Sequence, residues 1–301
     1  MIPRILIQID GDAHPSSFDS VVAIDAGVDH LLRYGGVQVN EMESLIHGAM
    51  FTRGGADLRH TAVFIGGSQV DVAEQLLAAC QAAFFGPVRV SLMLDAGGCN
   101  TTAAAAVVAA SRHLALSGTR AVVLGGTGPV GRRVGQLLAA DGADVILTSR
   151  HLQRAETACQ QITEKIAAAR QPSGGKLTPR ATASVADTQA ALDGAQIVIA
   201  CGAAGVELAD EAMLRRAAEL RVAIDLNAVP PAGLGGIKVT DKAQPFANAV
   251  AYGAIGVGGL KMKTHRAAIE QLFNANDLVL DAAEIYAIAK SIGGSTADGN
   301  Q

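Results

Sequence analysis

From Arg4 to Leu226, short runs rich in branched apolar residues alternate with longer stretches of helical periodicity, and this alternation leaves few architectures open. Strands that follow one another through helices run parallel and are covered on both faces, so the chain reads as α/β with open, mostly parallel sheets. The first half offers strands at Arg4–Asp10, His30–Gly35, Thr61–Gly67 and Arg89–Asp95. Helical patterns start at Ser16 or Ser17, near Asn40, near Val70 and at Asn100, where a polar cap precedes TTAAAAVVAASRHLA. At Ser117–Gly118 the pattern resets. Arg120–Gly126, Ala143–Ser149, Ile197–Gly202 and Ala223–Leu226 then read as strands, with helices from Pro129 and from about His151 to Ala169. Gln171–Pro179, rich in Pro, Gly and Ser, reads as a surface loop inside this second domain. After Pro230–Pro231 comes a Gly-rich stretch ending in GAIGVGGLKMKTHR (Gly253–Arg266), then two helical patterns to about Ile292 and a fraying tail, GGSTADGNQ. Two α/β domains follow: residues 1–116, with the 265–292 helices packing back near them, and residues 117–264.

Composition narrows the function classes. Half of the 301 residues are apolar, enough for two proper cores, and the charge of −4 from 24 basic and 28 acidic residues leaves no electrostatic footprint for DNA, RNA or an anionic membrane. Aromatic residues are 3% of the chain and Trp is absent, so binding is expected to lean on backbone and aliphatic walls. Cys80, Cys99, Cys159 and Cys201 form no C-x-x-C pair, which gives neither a zinc spacing nor a disulfide framework and points to a reducing compartment. The N-terminal MIPRILIQIDGD reads as a strand rather than a signal peptide. The longest weakly polar run, Thr101 to Ala110, is about half the ~20 residues of a membrane span, so a cytoplasmic protein is expected.

The segment VVLGGTGPVG places Gly126-x-Gly128-x-x-Gly131 between an apolar strand and the amphipathic pattern PVGRRVGQLLAADG, with a second strand following where a βαβ unit needs it. This is the Rossmann-type arrangement for a dinucleotide. In that reading Gly126 allows the tight turn, Gly128 lets backbone approach a pyrophosphate, and Gly131 permits close helix–strand packing. Thr127, Pro129 and Val130 complete the loop, whose N–H groups at the helix start face phosphates. The second strand ends in Thr148-Ser149-Arg150, with no Asp or Glu to hold a ribose 2′-hydroxyl. Arg150 and Arg154, one helical turn apart, suit a 2′-phosphate with Ser149 donating to it; the alternative is two solvated residues in the first turn of a surface helix, an even choice for Arg154. NADP is therefore favoured, with NAD use left open.

Ligands of open α/β sheets gather at the carboxyl ends of strands. Those ends hold Gln8, Asp10 and Asp12, then Gly66–Gly67, then Asp95 with Gly97, Gly98 and Asn100; Asp10, Asp12 and Asn100 are each also ordinary turn or helix caps. No G-x-S-x-G, H-E-x-x-H or partnered histidine occurs, so no nucleophile, base or metal set is expected. Hydride transfer from a carbon flanked by nitrogens needs none of these, only orientation at about 3–3.5 Å and stabilisation of the cation formed.

QIDGDAHPSSFDSVVAIDAGVDH, TRGG, FFGPVRVSLMLDAGGCNTTAAA, GGTGPVG, DLNAVPPAGLGGI and GAIGVGGLKMKTHRAAI, in that order along nearly the whole chain, resemble the NAD(P)-dependent methylene-tetrahydromethanopterin dehydrogenases of bacterial one-carbon metabolism. The resemblance implies oxidation of a methylene-tetrahydropterin to the methenyl cation in formaldehyde oxidation, by direct hydride transfer to NAD(P)+, with tetrahydromethanopterin as the one-carbon carrier. It also implies a homo-oligomer and a pterin in the cleft between the domains. Phe18 and Asp19 then lie near the pterin, Phe18 either stacking on it or filling the core. Asp95, Asn100 and Thr102 line the first-domain side, and Lys261 to His265 close the site. Lys261 is the main polar contact in this reading, because its motif follows a Gly-rich turn, while Lys263 is a solvated surface lysine. An ammonium beside the reacting carbon opposes a methenyl cation, so Lys261 is expected to hold the pterin carbonyl or to pair with a carboxylate, positioning substrate without acting as a base. His265 is assigned to the substrate tail and Asn227 to the nicotinamide side. A methylene-tetrahydrofolate dehydrogenase and a non-enzymatic NADP(H)-sensing protein are the competing readings.

Overall fold

The computed structural model describes residues 2–169 and 174–295. It divides into two units, Met1–Thr101 with Met262–Gln301, and Thr102–Lys261. In chain order the elements begin with β1 (Ile5–Ile9), α1 (Ser17–Asp25), β2 (His30–Tyr34), α2 (Met42–Met50), β3 (Thr61–Ile65), α3 (Val70–Ala82), β4 (Ser91–Leu94) and α4 (Cys99–Ser111). Next come β5 (Arg120–Leu124), α5 (Pro129–Ala140), β6 (Asp144–Ser149), α6 (Leu152–Ala168), β7 (Leu177–Ala181), α7 (Val185–Leu192), β8 (Ile197–Ala200), α8 (Glu211–Arg216) and β9 (Val222–Asp225). The last are β10 (Gln244–Phe246), β11 (Ala249–Tyr252), α9 (Ala254–Gln271), β12 (Val279–Leu280) and α10 (Ala282–Ser295).

The first unit is a parallel five-stranded sheet in the order β12-β4-β3-β1-β2. Its central strands TAVFI and SLML are buried at every residue, as strands covered on both faces must be, whereas HLLRY at the edge is largely exposed. Ser16 starts α1 by accepting the Asp19 N–H at 3.2 Å.

The second unit is a seven-stranded sheet in the order β10-β11-β9-β8-β5-β6-β7, parallel except for β10 against β11. From β5 the chain runs outward through β6 and β7, then crosses back to β8 on the other side of β5. The β5/β8 junction is therefore the switch point where such sheets bind ligands at their carboxyl ends. Helix α5 buries Val134, Leu137 and Leu138. Val122, Leu124, Val198 and Ala223 of the strands share a core with Leu214 and Leu220.

Several local expectations are corrected. The α4 cap is Asp95 rather than Asn100: Gly97 and Gly98, both at positive φ, fold the chain back so that the Asn100 and Thr101 N–H groups donate to Asp95 Oδ1 at 2.9 and 3.0 Å. The stretch around GVGGLK is not a turn but the interior of α9. Its Gly256, with Gly253 just before it, sits where a Cβ would overlap the backbone of Lys238, Val239 or Asp241, so these glycines serve close packing of chain on chain. Within Gln171–Pro179, Leu177–Pro179 belongs to β7; residues 170–173 lie outside those described. Helix α10 takes in the first residues of GGSTADGNQ, and residues 296–301 lie outside the description. The short β12, between two helices, had no counterpart in the sequence reading.

Candidate active site

In the second unit a cavity of about 700 Å³ opens at the carboxyl ends of β5, β6 and β8, walled by Thr127, Gly128, Pro129, Ser149, Arg150 and Arg154 among others. The GGTGPVG turn builds its floor. Gly125, at φ +65°, makes the tight turn, and a Cβ there would lie 2.7 Å from Gly202 Cα. That is the role expected of Gly126, which instead lies against the Leu147 side chain. Gly131 packs on Gly126, where a Cβ would meet Gly126 Cα at 2.6 Å. Gly128 is different: the nearest atoms to its Cβ position are Cys201 O at 3.8 Å and Gly125 O at 3.9 Å, so its surface is open. Gly128 is the N-cap of α5, with Pro129 in the first turn. The first N–H groups of a helix have no partner within it and face an anion favourably.

At the end of β6 the Ser149 hydroxyl accepts the His151 N–H at 3.4 Å, and Arg150 and Arg154 are exposed on the cavity wall. Thr182 and Ser184, just beyond β7, line the cavity beside the β6 end, as does His151. The cavity's one thiol, Cys201, is pushed far above the usual range by burial and by the Asp225 carboxylate, which leaves it protonated. Asp225 is itself raised, chiefly by burial, against N–H donation from Asn227, Leu234 and Gly233. An open cradle at a helix N-terminus and two exposed guanidinium groups at the β6 end fit a dinucleotide bearing an extra phosphate.

The first unit gathers a second set of residues at the carboxyl ends of β1 and β3. His265, fully buried, stacks on Phe64 with centroids 5.6 Å apart and planes at 24°, and Phe18 lies 6.3 Å from it, tilted by 39°. Its Nε2 is 4.0 Å from Asp19 Oδ1. Phe18 is 49% exposed and so fills no core. Beside them Asp10 accepts the N–H groups of Asp12 and Ser16 at 3.1 and 3.3 Å, tying down the loop before α1. Burial pushes its carboxyl above the usual range despite those bonds and the nearby Arg33. Asp95 and Asn100 are also buried and hydrogen-bonded. The Thr101 hydroxyl donates to Asp95 at 2.6 Å, and Asn100 Nδ2 donates to Leu94 O at 2.6 Å and to Asp281 Oδ1 at 2.9 Å. Thr102 sits half-buried in α4, and Lys261 half-buried in α9.

Phe18, Asp19 and His265 thus come together, as do Thr127, Gly128, Pro129, Ser149, Arg150 and Arg154. Gly126, Val130 and Gly131 shape the loop without forming the cavity wall. Asn227, expected on the nicotinamide side, is not on that wall either: its Nδ2 donates to Pro231 O at 3.0 Å and its Oδ1 accepts the Val229 N–H at 3.0 Å, closing the loop after β9. The sequence reading missed Phe64, a core-type residue in a buried strand, and Thr182 and Ser184. The N-cap pattern Ser184-x-x-Asp187 could have pointed to the latter.

Residues 17–97 match the family model described as methylene-tetrahydromethanopterin dehydrogenase, N-terminal. The chain is 32% identical over 304 residues to the NAD(P)-dependent methylenetetrahydromethanopterin dehydrogenase of Methylorubrum extorquens, spanning 98% of this chain and 100% of that one. It belongs to the methylene-tetrahydromethanopterin dehydrogenase family. Within that family it is 42% identical over 294 residues to the bifunctional protein MdtA of the same organism, covering 97% of this chain and all of the relative. Among solved structures, quinate dehydrogenase from Corynebacterium glutamicum shares the fold, with a TM-score of 0.51 at 12% identity over 96% of this chain and 99% of that one. No helix among the described residues is long and apolar enough to cross a membrane.

Proposed function

We propose that this family member catalyses reversible hydride transfer from 5,10-methylene-tetrahydromethanopterin to NADP+, giving the methenyl cation, in cytoplasmic one-carbon metabolism and as a homo-oligomer. The observation that carries this reading is the phosphate-ready cavity, with Arg150 and Arg154 at the end of β6 where an acid would favour NAD. When bound, the nicotinamide supplies the hydride acceptor. The open face of Gly128 and the first N–H groups of α5 hold the pyrophosphate, and Ser149 with the two arginines holds the 2′-phosphate. On the substrate side the exposed Phe18 ring offers a stacking face for the pterin. Asp19 fixes its polar edge and Thr102 shapes the wall, while the fully buried His265, Asp95 and Asn100 hold these surfaces in place from behind. Lys261 holds the pterin carbonyl or a carboxylate and takes no proton; its charge opposes the cation wherever it is left unpaired.

Steady-state assays of the full chain, with methylene-tetrahydromethanopterin and methylene-tetrahydrofolate and with NADP and NAD, test this directly. The expected result is the largest kcat/KM for the methanopterin with NADP. Faster turnover of the folate makes the chain a methylene-tetrahydrofolate dehydrogenase, and NADPH binding with no absorbance change from either pterin makes it a sensing protein. Lys261→Met is expected to cost at least about tenfold in kcat/KM, or ~1.4 kcal/mol; a value within a few-fold of the parent refutes its positioning role.

A further inference from the structure

The ionisable side chains on the wall of the second unit's cavity are Arg150, His151 and Arg154 at the end of β6, and Cys201, Glu207 and Asp210 beyond β8. Guanidinium groups stay protonated at every working pH, and carboxylic acids as a class titrate near pH 4. The Cys201 thiol is held protonated by burial and by Asp225. Among these groups the His151 imidazole is the one of a kind that changes charge between about pH 5 and 8. The GGTGPVG turn contributes Thr127, Gly128 and Pro129, and the segment after β7 contributes Thr182 and Ser184, none of which titrates there. The nearest carboxylate behind Ser184 is Asp187, already engaged by the Ser184 hydroxyl at 2.8 Å and its N–H at 3.0 Å.

His151 is held in place by the same residues that face the coenzyme. Its N–H donates to Ser149 Oγ at 3.4 Å, and its carbonyl accepts the Arg154 N–H at 3.1 Å. It is the N-cap of the 17-residue α6, but its side chain makes no capping bond to that helix. The exposed imidazole is left on the cavity wall, at a helix start that itself favours an anion.

We propose that His151 is the pH-dependent arm of the 2′-phosphate site: its imidazole takes up a proton from solvent as the phosphate binds, so the preference for NADP(H) over NAD(H) rises as pH falls. This rests on the NADP reading above and deepens it. The two arginines supply a constant attraction, and an imidazolium beside them adds a further charge-assisted hydrogen bond to the phosphate. The sign of the effect separates protein from ligand. A phosphate monoester loses its second proton near pH 6, so the ligand's own titration weakens its pairing with the arginines as pH falls. Tighter binding at lower pH, specific to the coenzyme that bears the phosphate, therefore has its origin in the imidazole. NAD(H) lacks the group His151 addresses, and its affinity stays level over the same range.

The test is fluorescence titration of the full chain with NADPH and with NADH at about pH 6.5 and 8.5 and constant ionic strength, for the parent, His151→Gln and His151→Lys. His151 is exposed, so neither substitution disturbs the core; circular dichroism checks that the fold persists. The parent is expected to bind NADPH at least about threefold more tightly at the lower pH, with NADH unchanged. His151→Gln is expected to be level at the weaker affinity, and His151→Lys, whose charge is permanent over this range, level at the tighter one. A second readout is calorimetry at pH 7 in buffers of different ionisation heat, in which the parent takes up protons on binding NADPH and His151→Gln takes up fewer. A parent that prefers NADPH equally at both pH values, or a His151→Gln variant that keeps the parent's slope or proton uptake, overturns the role of His151 and leaves the NADP reading standing. A parent with no preference for NADPH over NADH at either pH overturns the 2′-phosphate site itself and this proposal with it.

Discussion

Gly131 and Gly128 belong to one motif, yet the structure assigns them opposite vulnerabilities, and an alanine at each separates fold from binding. At Gly131 a Cβ would stand 2.6 Å from Gly126 Cα and 2.8 Å from its carbonyl carbon and oxygen. All three are backbone atoms that no rotamer change can move aside, so α5 must shift off the β5 turn. Overpacking of this kind costs about 1–3 kcal/mol. At ~2–4 °C per kcal/mol for a domain of this size, Gly131→Ala is expected to lower Tm by roughly 2–12 °C. At Gly128 the nearest atoms lie 3.8 and 3.9 Å away and the backbone is extended, with φ −74° and ψ 170°. There a small loss in capping preference is offset by the lower chain entropy of alanine in the unfolded state, leaving stability within about 0.5 kcal/mol of the parent. The same methyl group occupies the space a pyrophosphate needs and is expected to weaken NADPH binding at least about tenfold, or ~1.4 kcal/mol. Thermal melts with and without NADPH, together with fluorescence titration of NADPH, read both quantities. The reasoning fails if Gly128→Ala binds NADPH like the parent, or if it melts as low as Gly131→Ala.

Arg150→Ala is expected to lower kcat/KM with NADP by about tenfold or more while leaving NAD turnover nearly unchanged, since it removes a charge-assisted contact to a phosphate that NAD lacks; an unaltered coenzyme preference contradicts the 2′-phosphate assignment. Burial pushes the Cys159 thiol up to about 11 and the Cys80 thiol up to about 12, and raises Cys201 further, so these thiols should stay silent to a disulfide reagent at pH 8 until urea unfolds the chain. Rapid labelling of Cys80 or Cys159 in the native protein counts against their burial, and rapid labelling of the half-buried Cys201 counts against its raised pKa. Asp225 has a folded pKa above its ordinary 3.8, so the stability linked to its protonation is full below that value and is lost as pH rises through the raised value. Urea midpoints measured from pH 4 to 8 should therefore fall with pH more steeply in the parent than in Asp225→Asn; parallel slopes refute the linkage.

What the sequence made legible is what it encodes locally, and the misses mark where distant backbone decides. The open Gly128 follows from a loop whose function lies within ten residues of chain. Which glycine makes the turn does not, because the space for a side chain at Gly125, itself at φ +65°, is taken by Gly202, which arrives from the end of β8. A glycine inside a helix costs ~1 kcal/mol relative to alanine, so the run around GVGGLK argues locally for a turn. Gly256 takes its place in α9 because the Asp241 backbone occupies the space a Cβ would need there. Phe64 under His265 was invisible for the same reason: nothing in TAVFI distinguishes a residue that fills the core from one that also carries a buried imidazole.

The strand signal of HLLRY carries a further meaning in this light. The strands TAVFI and SLML at the centre of its sheet are mostly apolar and buried at every residue because both their faces are covered, and HLLRY departs from that pattern because it is an edge. An edge left only to solvent is normally interrupted or charged on the faces that could pair, as Pro179 and Pro245 interrupt the edges of the other sheet. Leu32 and Tyr34 are neither, and Arg33 carries its charge to Pro15 rather than out along the edge. The strand HLLRY is thus intermediate, more polar than the central strands beside it and free of the prolines that interrupt the edges of the other sheet.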